Sequence, residues 1–294
     1  MNLSKDDLIQ LARIAEEAAH KAGQLINSFS NTEFKIFHKK GGHSLASKVV
    51  TEVDYRCESL ILEHLKESLE KYDLAVLSEE QEDDKQRLNK DHFWCIDPLD
   101  GTLAFTESKP GYAVSIALVS KDGRPLIGVI YDPLKNMLYS AIKGNGAFRN
   151  GSRWSLSHSP EITTLTLACD KSLLARQEFN DLRNTLNNWA VNSGFTGLTE
   201  IHHGGAVMNA CWALENTPAC YFKLPKPENG GGSLWDFAAT ACLYLEVGAT
   251  VCDFKGQDLD FNRAGSTFMN HRGIIFASDN NMLAIIQSLQ TMDS

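Results

Sequence analysis

The chain has 294 residues, 43% apolar and 22% charged, an ordinary globular composition with length enough for a large core. Its net charge of -9 argues against a nucleic-acid polymer as partner, but not against a small anion bound beside a divalent cation. Seven cysteines are scattered without a C-x-x-C pair, and no apolar run reaches membrane-spanning length. A disulfide framework, a zinc site and a transmembrane segment are therefore not expected, and a cytoplasmic location is.

Ser4 and Asp7 make a capping box, with Asp replacing the usual Glu. Apolar residues over 8–29 recur at helical spacing (Leu11, Ala15, Ala18, Ala22, Ile26), and the Ala-rich stripe predicts a helix packed closely on a neighbour. This start is a helix pattern rather than a signal peptide. Residues 38–47, with Gly41 and Gly42, read as a mobile loop, and 51–72 as a second helix. A short strand over 74–77 ends in Ser78-Glu79-Glu80, and 81–91 reads as a charged, solvated loop. A buried strand over 93–96 follows. Strands at 112–119, 127–132 and 137–142 form an antiparallel meander, and 144–151 is a Gly/Asn-rich turn region. The second half alternates: strand 165–168, helix 177–186, helix 206–214 and strand 219–223. Then come a Pro/Gly loop at 224–232, an apolar helix at 235–247, strands at 250–252 and 273–277, and a last helix at 280–289. The pattern predicts alternating helix and sheet layers in two tightly joined halves, 1–155 and 156–294.

Residues 93–102 carry the most chemistry. The strand Phe93-Trp94-Cys95-Ile96 stops at Asp97, because Pro98 cannot donate to a ladder, and Asp100, Gly101 and Thr102 follow. Two carboxylates thus leave the carboxyl end of a hydrophobic strand, where open α/β sheets place ligands. Such hard oxygen donors suit Mg²⁺ or Mn²⁺. Gly101 and Thr102 begin a helix whose free N–H groups would receive an anion. Taken alone, Asp-Pro and Asp-Gly are ordinary turn dipeptides.

Three further acidic segments have local explanations of their own. Ser78-Glu79-Glu80 reads as a helix cap with first-turn acids, yet Glu79 would meet Asp97 and Asp100 if the two strands are parallel neighbours. Asp236 opens an apolar helix, and the preceding Asn229-Gly230-Gly231-Gly232-Ser233 would let another group approach the backbone. Thr51 and Asp54 pair as a helix cap and its partner. His202 and His203 precede Gly204-Gly205 at a helix start and are candidates to line a pocket.

Taken together and in order, Lys48-x-x-Thr51-x-x-Asp54, Ser78-Glu79-Glu80, Asp97-Pro98-Leu99-Asp100-Gly101-Thr102 and Trp235-Asp236-x-Ala238-Ala239 resemble the inositol monophosphatase superfamily. These are Mg²⁺-dependent, lithium-sensitive phosphomonoesterases, including 3'(2'),5'-bisphosphate nucleotidases and relatives of fructose-1,6-bisphosphatase. The resemblance implies a layered αβαβα sandwich of two sheets and three helical layers. It implies two or three Mg²⁺ ions, with Mn²⁺ as substitute, on Glu79, Asp97, Asp100, Asp236 and the Leu99 carbonyl. It further implies that Gly101 and Thr102 bind phosphate, and that Thr102, hydrogen-bonded to Asp54, acts with Glu79 on the attacking water. His203, Gly204 and Asp236 would contact the substrate. A small phosphorylated metabolite is the implied partner, and a homodimer the implied assembly.

The subgroup signals diverge. Ser78 in place of Gly, Leu99 in place of Ile, and the tail Phe261-Asn262-Arg263 with Asn270 lean toward the nucleotidases. Leu103 and the segment 109–118 lean toward the inositol phosphatases. Gly205 stands where that subgroup often carries Ser, and 224–233, beside the leaving group, matches neither. The lead substrate is a 3'(2')-phosphoadenosine 5'-phosphate-type nucleotide, with an inositol or sugar monophosphate as alternative. A non-catalytic metal- or nucleotide-binding regulator is the reading from another class, and the intact acidic set disfavours it.

Overall fold

The computed structural model describes residues 2–29, 35–38, 49–156 and 161–290. Most of the loop at 38–47 and Lys48 of the first motif lie outside the described residues. In chain order the elements are α1 (Lys5–Ser28), β1 (Ile36–His38), β2 (Val49–Thr51), α2 (Glu52–Tyr72), β3 (Ala75–Ser78), β4 (His92–Asp100), α3 (Thr102–Thr106), β5 (Ala113–Ser120), β6 (Pro125–Asp132), β7 (Met137–Ile142), β8 (Gly146–Arg149) and β9 (Ser152–Trp154). Then come β10 (Leu165–Ala168), α4 (Lys171–Leu174), α5 (Phe179–Asn192), β11 (Leu198–Ile201), α6 (Ala206–Glu215), β12 (Ala219–Lys223), α7 (Leu234–Glu246), β13 (Thr250–Cys252), β14 (Ile274–Ala277) and α8 (Leu283–Ser288). Among the described residues no helix is long and apolar enough to cross a membrane.

The larger sheet runs in sequence order from β3 to β9, with β3 parallel to β4 and every later pair antiparallel. The smaller sheet has the order β11-β10-β12-β14-β13, with β10 parallel to both β11 and β12. Strand alternation distributes the core. On β4, Phe93 and Cys95 face one cluster with α6 and α7, while Trp94 and Ile96 face another with α1 and α2. On β12, Ala219 and Tyr221 join the α6–α7 cluster, while Cys220 and Phe222 pack with Leu182, Leu186 and Ile286 on α5 and α8. The layers are thus α1/α2, large sheet, α6/α7, small sheet, α5/α8: the expected αβαβα sandwich. The Ala stripe of α1 is fully buried, as its close packing requires, and all seven cysteines are buried free thiols.

Several local expectations are corrected. β4 does not stop at Asp97. Asp97 pairs with Ser115 and Asp100 with Ala113, so three steps on one strand oppose two on the other, a bulge that absorbs Pro98 and its missing N–H. The segment 81–91 is not wholly solvated. It contains a 3₁₀ turn, Gln86–Leu88, and fully buries Arg87, whose guanidinium binds Asp83 at 2.8 and 3.0 Å and Asn262 at 2.7 Å. The region 144–151 is not all turn: Gly146–Arg149 form a strand, β8, that pairs with both β7 and β9 between two turns. Strand β11 lies at a sheet edge and is partly exposed, so it lacks the apolar signature that reveals inner strands.

Candidate active site

The parallel pairing of β3 with β4 sets the site. Ser78 lies opposite Ile96, and the Glu79 N–H extends the ladder to the Ile96 carbonyl at 3.1 Å, so Glu79 and Asp97 leave adjacent strands at one level. Asp236 arrives from the first turn of α7. Its Oδ2 accepts the Ser233 N–H at 2.7 Å, which fixes the carboxylate at the helix start. The Trp235 carbonyl accepts the Ser115 hydroxyl at 3.2 Å, and Ser115 is the residue paired with Asp97, so α7 begins directly over the β4 bulge. One oxygen from each of Glu79, Asp97 and Asp236 consequently lies within 4.8 Å of the others.

Burial and like charge push the Asp97 and Asp236 carboxyls upward. Asp97 is raised well above the ordinary range by burial and then by Glu79, Asp100 and Asp236. Asp236 is raised to about 6 by burial and then by Glu79. An all-oxygen, carboxylate-rich set crowded within 4.8 Å is what a hard divalent cation satisfies, so the donor set fits Mg²⁺ or Mn²⁺.

Asp100 lies outside the 4.8 Å group. Its Oδ2 accepts the Val207 N–H at 3.0 Å, capping α6 and tying the large sheet to the second half of the chain. A carboxylate has a second oxygen, so the cap does not exhaust Asp100 as a ligand. The backbone here is closely packed. Gly101 has φ +80°, and a Cβ on it would stand 2.5 Å from the Gly111 carbonyl oxygen. A Cβ on Gly205 would stand 2.3 Å from Asp100 Oδ2, which explains why Ser is not accommodated at this position.

Beside this turn, the Thr102 hydroxyl lies 3.0 Å from Asp54 Oδ1 and 3.1 Å from the Leu99 carbonyl. It has one proton, and the charged acceptor is the stronger of the two. The Leu99 N–H in turn donates to Asp97 Oδ1 at 3.0 Å. Asp54 Oδ2 takes both the N–H and the hydroxyl of Thr51, at 2.7 and 2.6 Å. Burial pushes Asp54 up to about 6 despite these hydrogen bonds. The local cap reading of Thr51 and Asp54 and the functional reading are therefore both realised, one on each oxygen.

His203 is not brought to the carboxylates by its side chain. Its exposed ring lies tilted against Trp212, with centroids 4.5 Å apart, and lines a cleft of about 520 Å³ with Lys135, Arg149 and Glu215. None of the clustered carboxylates lines that cleft; only the backbone of His203 and Gly204 reaches the Gly111 turn. Asn262 and Asn270 of the tail serve loops. Asn262 holds Arg87, and Asn270 Nδ2 donates to the Lys226 carbonyl at 3.0 Å. Sequence reasoning missed Asp170 and Lys223, an ion pair at 2.8 Å facing the cluster from the small sheet. Their one signal was position, each at the carboxyl end of a predicted strand.

Carboxylates gathered at the end of a parallel strand pair, beside a glycine turn and a hydroxyl–carboxylate pair, belong to a phosphatase of phosphoric monoesters. The chain matches the model of the Inositol monophosphatase family over residues 7–294 and belongs to that family, whose members are metal-dependent and act on small phosphorylated substrates. It is 30% identical to the Nus factor SuhB of Escherichia coli K12 over 84% of this chain and 86% of that protein. It is also 30% identical to inositol monophosphatase 2 of Solanum lycopersicum, over 84% and 88% of the two chains. A solved IMPase/NADP phosphatase in complex with NADP and Ca²⁺ shares the fold, with a TM-score of 0.72 and 17% identity over 97% of each chain.

Proposed function

We propose that the protein hydrolyses a small phosphate monoester with water in the presence of Mg²⁺, and that a 3'(2')-phosphoadenosine 5'-phosphate-type nucleotide is its preferred substrate. The observation that carries the catalytic reading is the convergence of Glu79, Asp97 and Asp236 within 4.8 Å. Together with Asp100 and the Leu99 carbonyl, these residues would hold two or three ions. When bound, such ions neutralise the phosphate dianion, lower the pKa of water and align attacking and leaving oxygens.

The chain's own groups divide the remaining work. The N–H groups of Gly101 and Thr102 receive phosphate oxygens. Thr102 gives its proton toward Asp54 Oδ1, which leaves its oxygen lone pairs to orient the attacking water and accept its proton. Glu79, at the end of β3, shares that task. Asp236, on α7, lies on the leaving-group side. No cysteine or histidine nucleophile is needed, consistent with seven buried thiols. The reading carries with it a homodimeric cytoplasmic enzyme with no nucleic-acid polymer as partner.

The nucleotide preference is supported by Ser78 and Leu99 and by the nucleotide held in the solved NADP phosphatase of the same fold. Inositol monophosphate hydrolysis is the second reading, favoured by the segment 109–118 and by the tomato relative. A regulatory role, in line with the name Nus factor borne by the E. coli relative, is the third. A phosphate-release panel separates them: adenosine 3',5'-bisphosphate, inositol 1-phosphate and fructose 1,6-bisphosphate, each with Mg²⁺ and with EDTA. Higher kcat/KM on the nucleotide supports the lead reading, and preference for inositol 1-phosphate replaces it. Absence of Mg²⁺-dependent release from all three refutes the enzyme assignment.

A further inference from the structure

We propose that Lys223, anchored by Asp170, binds a second anionic group on the leaving-group half of the substrate and so selects a doubly charged monoester over one with a neutral leaving group. The inference rests on the phosphatase reading above. Strands β10 and β12 are parallel neighbours with Ala168 opposite Tyr221. Two residues further on, Asp170 and Lys223 emerge together at the carboxyl end of the small sheet, with the ammonium 2.8 Å from Asp170 Oδ2. Asp170 is itself held in place. Its Oδ1 accepts the Tyr221 hydroxyl at 3.0 Å and Asn209 Nδ2 at 3.1 Å, and Asn209 belongs to α6, the helix capped by Asp100.

The ammonium lies against the first turn of α7, the helix that carries Asp236. It lies 5.2 Å from the centre of the Phe237 ring, and Phe237 follows Asp236 on α7. Burial works against its charge, but Asp170 and then Asp236 and Asp100 outweigh burial and hold it protonated. The Lys223 side chain keeps 17% of its surface exposed, so it is not sealed in the core. An ammonium has three N–H donors, and Asp170 is its one ion-pair partner among the described residues, which leaves donors for an incoming anion.

Position identifies what that anion is attached to. In the proposed reaction the attacking water sits beside the Thr102–Asp54 pair, on the α2 side, and in-line displacement puts the leaving group opposite it. The opposite side is where α7 and the small sheet present Asp236 and Lys223. A neutral polyol there would leave the ammonium with no partner but Asp170, whereas a second phosphate or comparable anion would pair with it directly.

The test uses a matched pair that differs only in the second phosphate: adenosine 3'-monophosphate and adenosine 3',5'-bisphosphate. The wild type prefers the bisphosphate. Lys223→Gln loses at least about tenfold more kcat/KM on the bisphosphate than on the monophosphate, chiefly through KM, as expected for one charge-assisted hydrogen bond. Lys223→Arg restores most of the preference. Thermal melts of both variants confirm that the fold is retained. An equal loss on both substrates, or wild-type indifference to the second phosphate, overturns the proposal. If neither nucleotide turns over but inositol 1-phosphate does, the nucleotide reading has failed by itself. The pair inositol 1-phosphate and inositol 1,4-bisphosphate then decides the role of Lys223 by the same criterion.

Discussion

Replacing Asp97 with Asn separates stability from function in a way only a repelling carboxylate cluster predicts. Asp97 is 1% exposed and shares the 4.8 Å group with Glu79 and Asp236. Two unit charges at that separation repel by about 3.5 kcal/mol at an effective dielectric constant near 20. Asp97 takes part in two of the three pairs. Partial protonation relieves some of this repulsion, as the upward shifts of Asp97 and Asp236 require. The expected gain in metal-free stability is therefore smaller, about 1–3 kcal/mol, or a rise of roughly 2–4 °C in Tm per kcal/mol. The amide keeps an oxygen for the Leu99 N–H, so no backbone hydrogen bond is lost. Activity moves the other way. A neutral ligand leaves phosphate charge uncompensated and costs at least about 10²-fold, equivalent to about 2.7 kcal/mol of transition-state stabilisation. The assay is a pair of thermal melts at pH 8, in EDTA and in Mg²⁺, with phosphate release at limiting Mg²⁺. A variant that melts below wild type in EDTA, or retains full activity, refutes the argument.

Thr102→Ala should lower kcat more than it raises KM, and Thr102→Ser should retain part of the activity; equal impairment of both would remove the hydroxyl from the water-activating role. The Asp54 carboxyl can take up the Thr102 proton only when ionised, so kcat/KM should rise with pH through about 6, and Asp54→Asn should flatten that limb. The same raised value costs stability as pH climbs from about 4 to about 6, because there the native state binds the extra proton; a Tm that rises over this window in Asp54→Asn relative to wild type checks the sign. Li⁺ at sub-millimolar to millimolar concentration, an order-of-magnitude range, should inhibit in an uncompetitive or mixed manner where Na⁺ does not, and equal effects of the two ions would exclude a weakly held third cation site.

Much of the site was legible because its motifs are local. Asp97, Asp100, Gly101 and Thr102 lie within six positions, and a strand ending in acids followed by a glycine turn states its chemistry in one stretch. The capping boxes that open α1 at Ser4 and α2 at Thr51 were likewise written in four-residue spacings. Asp236 and Glu79 each had a sufficient local explanation as first-turn acids, and only their order among the other motifs separated function from capping.

What the sequence determined by itself was the set of donors, the alternation of helix and strand, and the family that this order resembles. Each of those depends on neighbours in the chain. The tertiary structure decided which donors meet. The β3–β4 register brings Glu79 beside Asp97, the Ser115–Trp235 contact seats α7 over the bulge, and Asp100 is committed through one oxygen to the start of α6. It also turned the His203 ring away onto Trp212 and paired Lys223 with Asp170 across two parallel strands. Strand register and side-chain direction are set by packing between segments far apart in the chain, 157 residues for Glu79 and Asp236, and no spacing rule along the chain encodes a meeting at that distance.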